Sequence, residues 1–69
     1  MNIVYTKHAL KRIKFRKIEE IWVEEAIKYP SSTKREGNRY FVRKKLNGKT
    51  IEVVCIKEKD INIKTTYWV

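Results

Sequence analysis

The chain has 69 residues, 42% of them hydrophobic and 36% charged, with 17 lysines and arginines against 8 acidic residues and a net charge of +9. Two glycines, one proline and one cysteine exclude a disordered chain, an intrachain disulfide and a tetrahedral cysteine zinc site, and no apolar run approaches the roughly 18 residues of a membrane span. What remains is a single domain over residues 1–69, without a signal-peptide pattern at its start, expected in a reducing cytoplasm and burying about 60% of its unfolded surface.

Asn2 to Tyr5 is a β-prone lead-in, either an edge strand or extended chain. Thr6 then reads as the N-cap of a helix that runs to about Arg16, with Ala9, Leu10 and Ile13 as its apolar stripe. His8, Arg12 and Arg16 follow at four-residue steps along one flank, and Phe15, off the stripe, is expected over the joint with the next helix. That second helix begins at Ile18 or Glu19 and ends at Tyr29, because Pro30 turns its predecessor away from the α region. Its apolar side is read as Ile18, Ile21, Trp22, Ala26 and Tyr29, widened by Val23 and Ile27. Glu19 and Glu20 in the first turn and Lys28 in the last suit the helix dipole.

Ser31 to Asn38 is a loop with at most a short strand near Thr33 to Arg35, and Gly37-Asn38 signals a turn. Arg39 to Leu46 alternates as a strand, and Asn47-Gly48 is a hairpin signal of the type I′ kind. Thr50 to Lys57 is the β-branched stretch expected at the centre of the sheet, with Ile51, Val53 and Cys55 on one face and Val54 and Ile56 on the other. Glu58 to Asp60 makes the next turn, and Ile61 to about Trp68 is the last strand.

This order predicts an α+β fold: two N-terminal helices packed on one face of a three- to four-stranded antiparallel sheet. The covered face takes Tyr40, Val42, Leu46, Ile51, Val53, Cys55, Ile61, Ile63, Thr65 and Tyr67. Arg39, Phe41, Arg43, Lys45, Glu52, Val54, Ile56, Lys64, Thr66 and Trp68 are expected on the open face. A one-residue bulge in the last strand would exchange Tyr67 and Trp68.

Charge is unevenly spread. Between Ile18 and Tyr29 lie Glu19, Glu20, Glu24 and Glu25 against Lys28 alone, which leaves 16 basic and 4 acidic residues elsewhere, an excess of +12. Such a surface favours a polyanion. On the open face Arg39, Arg43, Lys45 and Lys64 supply cations for phosphate, and Phe41 and Trp68 supply rings on which unpaired bases stack. The competing reading is a solvated sheet face whose aromatics are cover or a dimer contact. His8 with Arg12 and Arg16 is a second candidate, since a helix N-terminus and nearby cations keep imidazole neutral, as a general base requires. A capping histidine is the alternative. One His and one Cys predict no metal, Cys55 reads as an inert core thiol, and no phosphate loop or other cofactor motif is present.

Thr-Lys-His-Ala-Leu-Lys-Arg-Ile-Lys-Phe-Arg over Thr6 to Arg16 leads into Ile18 and an acidic helix ending at Pro30. Asn38-Arg39-Tyr40, Asn47-Gly48, Val53-Val54 and Thr65-Thr66-Tyr67-Trp68 follow. This pattern resembles a small prokaryotic domain-of-unknown-function family grouped with the RelE/ParE-like toxin superfamily and similar in layout to the BrnT toxins. The resemblance implies a toxin of a toxin–antitoxin pair, with RNA as target and an antitoxin protein as partner. RelE-like members cut mRNA without metal. By analogy Arg39, Arg43, Lys45 and Lys64 would hold phosphate, with Tyr67 or His8 in the proton transfers and Arg12 and Arg16 extending the RNA-binding set. ParE-like members act on gyrase instead. The alternative function is a non-catalytic module that binds nucleic acid or protein through the same charge, and a homodimer through an exposed edge strand is a third reading.

Overall fold

In the computed structural model, which describes residues 2–69, the chain runs β1 (Ile3–Tyr5), α1 (Lys7–Phe15), α2 (Glu20–Lys28), β2 (Ser32–Glu36), β3 (Arg39–Leu46), β4 (Lys49–Lys57) and β5 (Ile61–Trp68). The strands form one sheet of order β1-β5-β4-β3-β2, with β4 at its centre and buried continuously from Ile51 to Cys55. Strands β2 to β5 are antiparallel neighbours, whereas β1 pairs with β5 in parallel, Ile3 against Ile61 and Tyr5 against Ile63. The expected three- to four-stranded antiparallel sheet is therefore corrected to five strands in a mixed sheet. A parallel pair needs a long crossover, and α1 and α2 lie within the chain that links β1 to the strands after it.

Thr6 caps α1 as its sequence suggests, its hydroxyl accepting the Ala9 N–H at 3.0 Å. At the other end the Ile18 N–H donates to the Ile13 carbonyl (2.9 Å) and the Lys17 N–H to that of Lys14 (3.1 Å), a Schellman closure. Lys17 sits at its left-handed corner with φ 55, a position that glycine usually takes. Ile18 is thereby turned into the core and Phe15 is left 84% exposed, so Ile18 and not Phe15 fills the joint between the helices. Along α2 the buried side chains are Val23 and Ala26, flanked by Trp22 and Ile27, while Ile21 and Tyr29 face solvent. The apolar arc is centred one step round the helix from the expected one. The Tyr29 carbonyl accepts from Lys44 Nζ of β3 at 2.8 Å, a cation at the negative end of the helix dipole.

Ala9, Ile13, Ile18, Val23 and Ala26 share one buried cluster with Val42, Ile51, Val53, Cys55, Ile61 and Ile63. Register puts those strand residues on one face, since Val42 opposes Val53 and Cys55 opposes Ile63. None of Arg39, Phe41, Arg43 or Lys64 belongs to the cluster. Trp22 of α2 meets Trp68 of β5 edge-on, ring centroids 6.0 Å apart, a contact worth about 1 kcal/mol beyond its buried area.

Lys64 sets the end of β5. Cys55 pairs with Ile63 but Val54 pairs with Thr65, so Lys64 is the extra residue of a bulge. Beyond it the alternation is inverted: Thr66 and Trp68 lie on the core face, opposite Val53 and Ile51, and Thr65 and Tyr67 lie on the other, opposite Val54 and Glu52. The Thr65, Thr66, Tyr67 and Trp68 assignments are thus corrected. The hairpin between β3 and β4 differs too, because only Gly48 (φ 79) has positive φ and Asn47 does not, which rules out type I′.

Candidate functional site

On the face opposite the core cluster, three strands contribute one chain of hydrogen bonds. Arg43 of β3 donates from Nε to Glu52 Oε1 of β4 at 2.9 Å, and the Tyr67 hydroxyl of β5 donates to Glu52 Oε2. The register makes this geometry, since Glu52 stands opposite Arg43 on one side and Tyr67 on the other. Glu52 is only 9% exposed, the one charged residue within a run of buried apolar positions. Burial alone would raise its pKa, but the hydrogen bonds from Tyr67 and Arg43, with the Arg43 charge, outweigh it and hold the carboxyl below its usual value. For Tyr67 the hydrogen bond to Glu52, then burial, push the phenol up, so it stays protonated.

Two grooves flank Arg43. One, of about 350 Å³, is bounded by Lys34, Glu36, Phe41, Arg43 and Glu52, and the other, of about 610 Å³, by Ser31, Arg43, Lys45, Thr50 and Val69. Phe41 is half-buried, placed by register between Lys34 of β2 and Val54 of β4. Together they make a track of cations along β3 with an aromatic wall and a buried carboxylate at its floor.

Of the sequence-derived candidates, Phe41, Arg43 and Lys45 line these grooves and Tyr67 joins them through Glu52. Arg39 lies further along the same face, opposite Glu36 and Ile56, and Lys64 is exposed at the bulge. Trp68 does not project there, because the bulge turns it against Trp22. Arg16 is drawn to the free edge of β5, where its Nη1 donates to the Thr66 carbonyl at 2.8 Å; β1 covers only Ile61–Ile63 of that edge. His8 and Arg12 stay exposed on α1, where His8 Nε2 accepts from Arg12 Nε at 3.3 Å. No group of three or more His, Cys, Asp or Glu suited to a metal ion occurs among the described residues.

Residues 5–68 match the family described as a domain of unknown function (DUF4258). The chain belongs to that family. No curated protein and no solved structure matches it. None of the described helices is long and apolar enough to cross a membrane.

Two members of the site in this DUF4258 chain escape a reading by composition. Glu52 is the one charged residue between Ile51 and Ile56, an otherwise apolar run, and that is the signal that finds it. Lys34 gave none, since Ser32 to Glu36 is exposed at every position and carries no alternation.

Proposed function

We propose that this chain is a RelE/ParE-like, toxin-type protein that binds single-stranded RNA on the sheet face opposite its core. The observation that carries the reading is the Arg43–Glu52–Tyr67 chain beside the Phe41 wall. Glu52 fixes the direction of one guanidinium and one phenol without neutralising the face, since Lys34, Arg39 and Lys45 form no ion pair among the described residues and Glu36, opposite Arg39, is the one other carboxylate beside them. Cations in a row with an aromatic between them suit a phosphodiester backbone and its unstacked bases. The family resemblance and the +9 charge point the same way.

Metal-independent mRNA cleavage is the second reading, favoured by the contact between Tyr67 and Glu52. The ribose 2′-oxygen attacks phosphorus, its proton passing to Glu52. The P–O5′ bond breaks, and O5′ takes the Tyr67 proton. A 2′,3′-cyclic phosphate and a 5′-hydroxyl result, and the proton on Glu52 returns to the phenolate through their hydrogen bond. The lowered Glu52 pKa and raised Tyr67 pKa make both groups weak in these roles at neutral pH, so this reading predicts slow turnover.

Purified protein, single-stranded RNA and EDTA test both readings. Binding that weakens with salt and on Arg39→Ala and Arg43→Ala supports the first, and cleavage abolished by Tyr67→Phe with binding kept supports the second. RNA bound no better than by a neutral protein, together with unimpeded growth on induction, removes both.

A further inference from the structure

The side of the sheet that carries the core has a groove of its own, of about 400 Å³, at the end where the α1–α2 corner approaches the β3–β4 hairpin. It is lined by Arg16, Lys17, Trp22, Leu46, Lys49 and Trp68. The volume lies within the range of small-ligand pockets. No carboxylate lines it, and the one ion pair among the described residues, Arg43 with Glu52, is elsewhere, so three cationic residues line it without a counter-charge.

Its walls are held in place. The Trp68 indole N–H donates to the Arg16 carbonyl at 2.8 Å, fixing the ring plane, and Trp22 meets that ring edge-on. Arg16 spends Nη1 on the Thr66 carbonyl at 2.8 Å and on Thr65 Oγ1 at 3.4 Å, which orients the guanidinium and leaves Nη2 to donate elsewhere. Lys49 Nζ stands 5.1 Å from the centre of the Trp68 ring. Lys17, at the left-handed corner between the helices, completes the lining.

We infer that this groove is a separate binding site for an unpaired nucleotide, its base against the indoles of Trp22 and Trp68 and its phosphate on Arg16, Lys17 and Lys49. A simple anion would leave the indoles unused, and a neutral apolar ligand would leave three charges uncompensated. A planar group bearing a phosphate satisfies both. A base sliding onto Trp68 displaces the Lys49 ammonium, whose flexible stem carries it to the phosphate. The same chemistry is offered by a free mononucleotide or by one residue of an RNA strand. The site shares no residue with the grooves beside Arg43 and does not rest on the reading of that face.

Both tryptophans of the protein line the groove, so intrinsic fluorescence reports its occupancy directly. AMP and UMP, then a short single-stranded RNA, are titrated against the emission at low constant ionic strength. Saturable quenching by mononucleotides identifies a free-nucleotide site, and quenching by the RNA alone identifies a subsite for a strand. In either case the double variant Lys17→Gly/Lys49→Gln weakens it by about tenfold or more, as expected when charge-assisted contacts are lost. Lys17 has a positive φ that glycine adopts freely and Lys49 is exposed, so that variant keeps the fold, which circular dichroism checks. No quenching, quenching equalled by inorganic phosphate, or quenching unchanged in the double variant overturns the proposal.

Discussion

Tyr67 and Glu52 face each other across the β4–β5 pair, the phenol donating to a carboxylate that Arg43 holds from the far side. Each group thereby favours one protonation state of the other, and the stability the pair gives the fold is lost at both ends of the pH scale.

Glu52 has a lowered pKa in the fold, so its contribution is fully present above the unfolded carboxyl value of about 4.3 and is lost as pH falls through the folded value. Tyr67 has a raised pKa, so its contribution is present below about 10 and is lost as pH rises through the folded value. Tyr5, pushed up to about 12 by burial and then by Glu20 and Glu24, adds to the alkaline loss. Burial also raises the Cys55 thiol, so the alkaline loss begins near the unfolded thiol value of about 8.5, and urea unfolding should show a plateau between about pH 5 and 8. Glu52→Gln should flatten the acid limb, and Tyr67→Phe should reduce the alkaline one. An acid limb unchanged in Glu52→Gln contradicts the account.

What could be read from the sequence follows what each segment announces by itself. The helices and β3, β4 and β5 carry their own periods, and Thr6 and Pro30 mark where helical chain begins and stops. β1 announces little, because its pairing is parallel and joins the two ends of the chain. β2 is exposed throughout, so no face of Ser-Thr-Lys-Arg-Glu distinguishes it from a loop. The phase of β5 is ambiguous for a chemical reason. After Ile61 and Ile63 come two threonines and two aromatics, and each pair suits either face. Only the bulge at Lys64 decides that Tyr67 joins the site and Trp68 the core.

Thr66 follows from that inversion. It is fully buried opposite Val53, and its hydroxyl has no hydrogen-bond partner. Thr66→Val removes an unsatisfied polar group while keeping a β-branched shape of nearly the same size. It should stabilise the protein by about 1 kcal/mol, raising the melting temperature by about 4–8 °C. A melting temperature that falls in calorimetry would show that the hydroxyl is satisfied in solution.

Lys17 holds a left-handed backbone conformation that costs a non-glycine residue about 1–2 kcal/mol. Lys17→Gly removes that strain and gives back part of it as extra freedom in the unfolded chain, for a net gain of about 0.5–1 kcal/mol. Lys17→Val, with a branched side chain at the same φ, should destabilise instead. Chemical denaturation of the pair reads the sign directly, and equal effects from the two would refute the strained corner.

The cations of the open face make a prediction in which salt separates binding from folding. Arg43 is half exposed, so losing its ion pair with Glu52 is screened, and Arg43→Ala should cost about 1 kcal/mol of stability. Its effect on RNA is different in kind. Each phosphate contact on a single strand contributes about −0.7 to the slope of log K against log salt, so Arg43→Ala and Arg39→Ala should each flatten the slope by about that amount. Phe41→Ala removes a stacking surface and no charge. It should weaken binding by about 1 kcal/mol or more while leaving the slope unchanged. Fluorescence anisotropy with a labelled oligonucleotide over a salt series measures all three. If Phe41→Ala and Arg43→Ala shift the lines alike, in offset and slope, the RNA is not lying along β3.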